Sequence, residues 1–380
     1  MRPLLLLALV GCNAPPDMDT FSQVRVHAPE DAETAHATFI DLFDSAEETL
    51  DIALPAIEDE ALSDAIIDAW DRDVAVRVVT DIDRSADAGV VALLDAGVPL
   101  TLADDSITYF DFNILRDVEW TSDQAIMSHA FAIADGVRAV NATTAGTLDE
   151  GTRLVLDLQG EDLMIDLWIE HNQVFGGSDA VALTSYSSAA KSIADFRWAY
   201  STQTDQLMEM WLGPQERLTK RIIDAIYSAR ASVWVLTDDF ANDGLAAALQ
   251  DKAEYDFDVE VVVGPNHGSS AYAISEVLRT ETPNVSKHRI CDPGEVPTLV
   301  LIDYVRARDG NRYTSRAFLL SHDLYAAARL YRSSEVINDQ LIDGNLFVLN
   351  DYDAPSGAME DLQQVWEDHL GLSTGGLTCP

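Results

Sequence analysis

Four side chains beside two strand-like segments carry most of the chemistry that this sequence offers. They are His129 and Asp135 within Ile126–Gly136, then Asp303 at the end of Val296–Asp303 and His322 shortly after it. Imidazoles titrate near neutrality, so two of them facing one another would supply a nucleophile and a proton donor. Strand alternation sets a condition on this. His129 is one residue out of step with Ser128 and Ala130, so a bulge would be needed to turn it to their face. Ser321-His322-Asp323 is no relay, because consecutive side chains diverge. The other histidines (His27, His36, His171, His267, His288 and His369) show no metal-ligand spacing and read as structural. With no CxxC or Cys/His cluster either, neither a metal nor another cofactor is expected.

The elements around these residues come twice. Residues 30–48 read as a helix, Leu50 to Leu54 as a strand, 58–71 as a helix, Val74 to Thr80 as a strand, 85–96 as a helix and Val98 to Leu102 as a short strand. Val-rich strands alternating with helices predict a largely parallel sheet covered by helices. The same order then recurs without a gap. Phe39-Ile-Asp-Leu-Phe-Asp-Ser-Ala aligns with Ile222-Ile-Asp-Ala-Ile-Tyr-Ser-Ala, and at the same offset Leu62 meets Leu245, Ala65 meets Ala248, and Val76, Val78 and Val79 meet Val259, Val261 and Val262. Each half closes with a similar helix, Glu161-Asp162-Leu163 through Trp168 and His171 against Glu360-Asp361-Leu362 through Trp366 and His369. A shared register over this length indicates internal duplication.

A duplicated α/β half with a strand ending in Asp resembles the phospholipase D superfamily, in which each half supplies an HxKxxxxD motif and the two motifs meet at the junction. The resemblance implies two lobes related by a pseudo-twofold axis, each a mostly parallel mixed sheet flanked by helices. It also implies one His attacking phosphorus, the other protonating the leaving oxygen, two Lys neutralising phosphoryl charge, and each Asp orienting a His. Counting back from Asp135 puts Ser128 at the His position and Ala130 at the Lys position. From Asp303 the same count gives Val296 and Thr298. Both Asp remain, while both His and both Lys are replaced. The strand after each motif is altered too, to Val140-Asn141-Ala142-Thr143 and Leu320-Ser321-His322-Asp323. The resemblance therefore implies a catalytically degenerate binding or scaffolding protein, leaning away from an enzyme. One alternative is a phosphodiesterase rebuilt on His129 and His322, with Arg316 or Arg312 as replacement cation. Another is a purely structural envelope protein.

Composition narrows the partners. With 24 Lys+Arg against 65 Asp+Glu the formal charge is −41, so diffuse binding to nucleic acid or anionic headgroups is disfavoured. A protein or a phosphate-containing ligand is left as the expected partner. Met1-Arg2, an apolar run from Leu4 to Val10 and then Gly11-Cys12 fit a signal peptide (1–11) ending in a lipobox-like sequence, with Cys12 lipidated. That places the chain at the bacterial cell envelope, held to the membrane by lipid. Cys291 and Cys379 are then left either to pair, in an oxidising compartment, or to stay as thiols. The expected organisation is a tether at 12–29, one lobe at 30–177, a connector at 178–205, a second lobe at 206–372 and a tail at 373–380.

Overall fold

The computed structural model describes residues 23–28, 32–104, 126–143, 154–175, 186–187, 198–201, 206–213, 218–240, 242–265, 285–292, 296–304, 314–322, 324, 342–351 and 357–376. In the first lobe, α1 (Ala32–Ser45) places Ala35, Phe39, Leu42 and Phe43 on one stripe, and α2 (Glu60–Asp71) does the same with Leu62, Ala65, Ile66 and Ala69. Asp59 caps α2 by accepting from the amides of Ala61 (2.6 Å) and Leu62 (3.0 Å). The helix α3 (Ala88–Ala96) stops at Gly97, whose φ of 78° gives the left-handed terminus that glycine adopts without strain. These three helices cover one face of an eight-stranded sheet ordered β1-β8-β7-β6-β2-β3-β4-β9. In chain order its strands are β1 (Gln23–His27), β2 (Thr49–Ala53), β3 (Ala75–Asp81), β4 (Leu100–Asp104), β6 (Phe131–Ala134), β7 (Arg138–Thr143), β8 (Leu154–Gln159) and β9 (Tyr186–Ser187).

The second lobe repeats this plan. Its strands are β10 (Trp198–Ser201), β11 (Gln206–Leu212), β12 (Ser232–Thr237), β13 (Asp258–Val263), β14 (Val285–Ile290), β15 (Thr298–Ile302), β16 (Ser315–Leu320), β18 (Asn345–Asp351) and β19 (Ser373–Gly375), ordered β10-β11-β18-β16-β15-β12-β13-β14-β19. Within it, β11-β18-β16-β15-β12-β13-β14 matches β1-β8-β7-β6-β2-β3-β4 strand for strand. The correspondence reaches single hydrogen bonds. The amides of Ala75 and Asp258, offset as the sequence repeat predicts, donate to Glu48 O and Ala231 O, each at 3.0 Å. Asp73 and Asp256, just before these strands, both take positive φ, 65° and 59°. The outer face carries helices α5 (Leu218–Ser228) and α6 (Asp243–Glu254).

Two helices, α4 (Glu161–Phe175) and α7 (Gly357–Leu372), lie between the sheets. Leu163, Met164 and Leu167 of α4 and Met359, Leu362 and Trp366 of α7 share one core with the inner faces of both sheets. The lobes are thus fused through a common apolar layer. A two-stranded parallel ribbon joins them again, with Ile126 opposite Ile342 and Met127 opposite Asp343 in β5 (Ile126–Met127) and β17 (Ile342–Asp343).

Three expectations change. Within the two large sheets, parallel pairing is confined to β2-β3-β4-β9 and β12-β13-β14, and the other neighbours are antiparallel. Residues 23–27 of the expected tether form β1, paired with β8, with Val24 and Val26 packed against the core. That alternation was in the sequence, hidden by polar residues between. The expected connector contributes β9 and β10 to the sheets, and the expected tail contributes β19, because otherwise open strand edges gain hydrogen bonds from them. Among the described residues no helix is long and apolar enough to cross a membrane.

Candidate functional site at the junction of the lobes

The motif strands β6 and β15 hold equivalent places, each antiparallel to the first strand of its lobe's parallel run and to the next strand of a hairpin. Each ends in an Asp of positive φ, 53° at Asp135 and 61° at Asp303. The Asp135 carboxylate accepts from the amides of Glu47 (3.0 Å), Glu48 (2.7 Å) and Thr49 (2.9 Å). The Asp303 carboxylate accepts from Arg230 (2.8 Å), Ala231 (2.7 Å) and Ser232 (3.4 Å). Each Asp amide donates back, to Thr49 O and Ser232 O. Burial pulls the Asp135 carboxyl upward, but the three amides outweigh it and leave its pKa below the usual value. Both aspartates therefore lock the corner where a helix turns into a strand. Neither carboxylate's hydrogen bonds go to an imidazole, unlike the role that the resemblance implied.

The opposite ends of these strands lie at the junction. Ala130, Ala132 and Ala134 face the outer core, whereas Met127, Phe131 and Ile133 face the core between the sheets. His129 shares the second face, with its ring 5.6 Å from that of Phe131. The register runs on regularly, Ala142 N donating to Ala130 O at 2.7 Å. His129 thus lies opposite Ala130, as alternation predicts, but that opposite face is the one turned to the other lobe, so no bulge is needed. Its Nε2 is 2.9 Å from Glu170 Oε1 on α4, and both side chains are fully buried. Gln173 donates to the other Glu170 oxygen at 3.4 Å.

The second lobe brings His322 and Ser321. The His322 pKa is pushed down to about 3, first by burial and then by His129, which puts the two imidazoles within electrostatic reach. Ser321 Oγ lies 3.4 Å from His322 Nδ1 and accepts from the amide of Asn345 at 3.0 Å. Asn345 Nδ2 in turn donates to Asn141 Oδ1 of the first lobe at 2.9 Å, a buried bridge between lobes. Asn345 Oδ1 and the Thr143 hydroxyl are buried and have no hydrogen-bond partner among the described residues. Gly344 is required by this packing: a Cβ there would sit 2.6 Å from Ser321 Oγ and 2.7 Å from His322 Nδ1.

The four positions counted back from Asp135 and Asp303 have structural duties. Ser128 is buried at the start of the motif segment and Ala130 fills the outer core. Val296 belongs to the apolar layer between the sheets. Thr298 donates from its hydroxyl to Thr237 Oγ1 (3.2 Å), because the Thr237 proton goes to Asp239 O (2.9 Å). Arg316, expected as a replacement cation, is held at the outer face of its sheet instead. Its guanidinium donates to Ser228 Oγ (2.8 Å) and Ala225 O (3.3 Å) under α5, as the equivalent Arg138 does to Asp157 and Asp41. Lys252 is held by the carbonyls of Tyr227 and Ala229, and Lys220 pairs with Asp224 on the surface. Arg312, Asp323, Cys12 and Cys379 lie outside the described residues. Cys291 is disulfide-bonded. Among the described residues no three His, Cys, Asp or Glu side chains gather as a metal site.

Chemically, the described junction can hold protons and make neutral or acidic hydrogen bonds. Its described charged partner is a carboxylate, which would repel rather than stabilise charge building on a phosphoryl oxygen. Glu170, Asn141, Thr143, Ser321, Gly344 and Asn345 were not foreseen as a group. They come from separate helices, strands and turns, and no local spacing joins them.

A family model described as cardiolipin synthase, PLD-like domain, matches residues 39–147. No curated protein matches by sequence. Among solved structures, phosphatidylserine synthase of Haemophilus influenzae aligns over 93% of this chain and 87% of its own, with a TM-score of 0.62 and 12% identity. Polyphosphate kinase of Porphyromonas gingivalis aligns over 92% of this chain and 50% of its own, with a TM-score of 0.55 and 10% identity. At these identities the neighbours establish the fold alone. A PLD-like domain model thus matches the first lobe, and the chain as a whole shares the fold of these neighbours.

Proposed function

We propose that this chain is a phospholipase D-like lipoprotein of the cell envelope that has lost the superfamily's phosphodiester chemistry and serves as a binding or scaffolding protein. The observation that carries the reading is the content of the four motif positions, where Ser128, Ala130, Val296 and Thr298 are all buried. A substrate phosphorus would meet no His or Lys from those positions. Acid–base help is worth about 10²–10⁴-fold and one preorganised charge stabiliser about 10²–10³-fold. Losing both kinds removes most of the rate even when the effects are not additive.

One observation favours a second reading, a rearranged hydrolase: an imidazole from each lobe does reach the junction. It weighs less, because His129 is engaged with Glu170 and both rings are buried. The test is an assay of the purified mature chain on generic phosphodiesters and phospholipids beside His129→Ala and His322→Ala. We expect no turnover above buffer from any of the three. Turnover by the parent that both substitutions abolish would overturn the reading. Envelope anchoring is tested by expression in a bacterial host, where Cys12→Ala should abolish lipid labelling and release the chain from the membrane fraction.

A further inference from the structure

The repeat leaves one sheet edge unmatched. In the second lobe β10 covers β11, whereas the counterpart of β11 in the first lobe, β1, is the last strand of its sheet. Following paired residues outward from the motif strands makes Val24 the counterpart of Met208 and Val26 that of Met210. All four belong to the core between the sheets, but the two methionines are fully buried and the two valines only half-buried.

The register shows which backbone groups face this edge. Gly160 N donates to Val137 O (3.2 Å), so antiparallel alternation makes Gln23, Arg25 and His27 the residues bonded to β8. The amides and carbonyls of Val24 and Val26 therefore turn outward. In the second lobe Gly213 N donates to Gly344 O (2.7 Å), and the same count turns the groups of Met208 toward Ala199 of β10. A support for an added strand is present too. Helix α4 packs under β10 and β11, with Ala199 entering the shared core, and its counterpart α7 packs under β1. The solvent side of α7 is acidic, with Glu360, Asp361, Glu367 and Asp368 exposed.

We propose that the outer edge of β1 docks an extended, net-basic segment of a partner protein, which adds to the first sheet as β10 adds to the second. The segment pairs its backbone with the outward groups of Val24 and Val26. Its inward apolar residues rest on these valines and α7, as Ala199 rests on α4. The formal charge of −41 and the acidic side of α7 attract its basic residues, and the permanent cation of β1, Arg25, stands opposite Asp157. A second copy of the chain is disfavoured, because it brings the same negative charge. This rests on the binding role proposed above and names the kind of partner. It makes no use of the junction, so turnover there would leave the docking edge standing.

The probe is a labelled synthetic peptide of about eight residues alternating valine and lysine, added to the full chain at ~0.15 M salt. We expect saturable binding by fluorescence anisotropy. Hydrogen exchange should slow at least tenfold at the Val24 and Val26 amides, with no change at β10 and β11. Val26→Pro removes an outward amide but no bond to β8, and should weaken binding at least tenfold. If that variant fails to fold, the same peptide N-methylated at alternate residues takes its place, and one of its two methylation registers should bind at least tenfold more weakly. A valine–glutamate peptide should also bind at least tenfold more weakly. Undiminished binding by Val26→Pro, or exchange at β1 that the peptide does not change, would overturn the proposal. So would Val24 and Val26 amides already protected in the chain alone, whether by one of its own segments or by a second copy.

Discussion

The two lobes share one backbone plan and fill the same inner positions with opposite chemistry. On β2 and β3, Asp51 and Arg77 face α4 and form a two-pronged ion pair (2.7 and 2.8 Å). Arg77 also donates to Asn172 (2.7 Å) and lies over Phe175, on which His171 stacks. At the equivalent positions of β12 and β13 stand Trp234 and Glu260. Trp234 stacks on Trp366 of α7 with ring centroids 4.5 Å apart and leans on Tyr304. A duplicated frame therefore fixes where side chains point, not what they are. The aromatic solution gains stability from apolar burial at any pH. The ionic one depends on every partner staying in its charge state.

The comparison can be broken most severely at its aromatic side. Trp366→Ala should cost about 3–5 kcal/mol, equally at pH 5 and pH 8, in urea unfolding followed by circular dichroism. A strong pH dependence of that loss would mean the second lobe's inner face is not the apolar counterpart described here. Next come the two motif aspartates. Asp303→Ala removes a buried acceptor of three amides and should cost about 3 kcal/mol, while Asp135→Ala, more exposed, should cost about 2 kcal/mol. Equal, near-zero losses would contradict their role as corner locks.

A further effect concerns pH. Burial, first, then Arg77 push His171 down to about 4 against the pull of Asp51, so it is neutral when folded. The unfolded chain, with its imidazole near 6.5, binds the proton first. Stability from this group is complete above pH 6.5 and is lost as pH falls from there toward 4, by up to ~3 kcal/mol. His171→Phe should flatten the urea midpoint over that window. An unchanged slope would move the acid sensitivity elsewhere, first to His322, whose depressed pKa has the same sign.

Much of the fold was legible because periodicity is local. The helix stripe at Phe39, Leu42 and Phe43 and the Val-rich strands repeat at one offset, and the structure returns that offset in its hydrogen bonds. The edge strands β1, β9, β10 and β19 were not legible. They are short, and their pairing comes from chain that is distant in sequence or not strand-like by itself. The candidate site was half legible. Counting from Asp135 and Asp303 picked out two strands that hold equivalent places in their sheets, but it suggested neither the Glu170 partner of His129 nor the Asn141–Asn345 bridge.

The order of residues alone determined the duplicated register and which residue types stand at the positions counted back from Asp135 and Asp303, since each is a matter of type and spacing along the chain. Tertiary structure decided the rest. It turned His129 toward the other lobe, gave the two aspartates to backbone amides, and buried Glu170 beside an imidazole. Those outcomes depend on which face of a strand meets which helix, and that is settled only when two sheets close on a shared core.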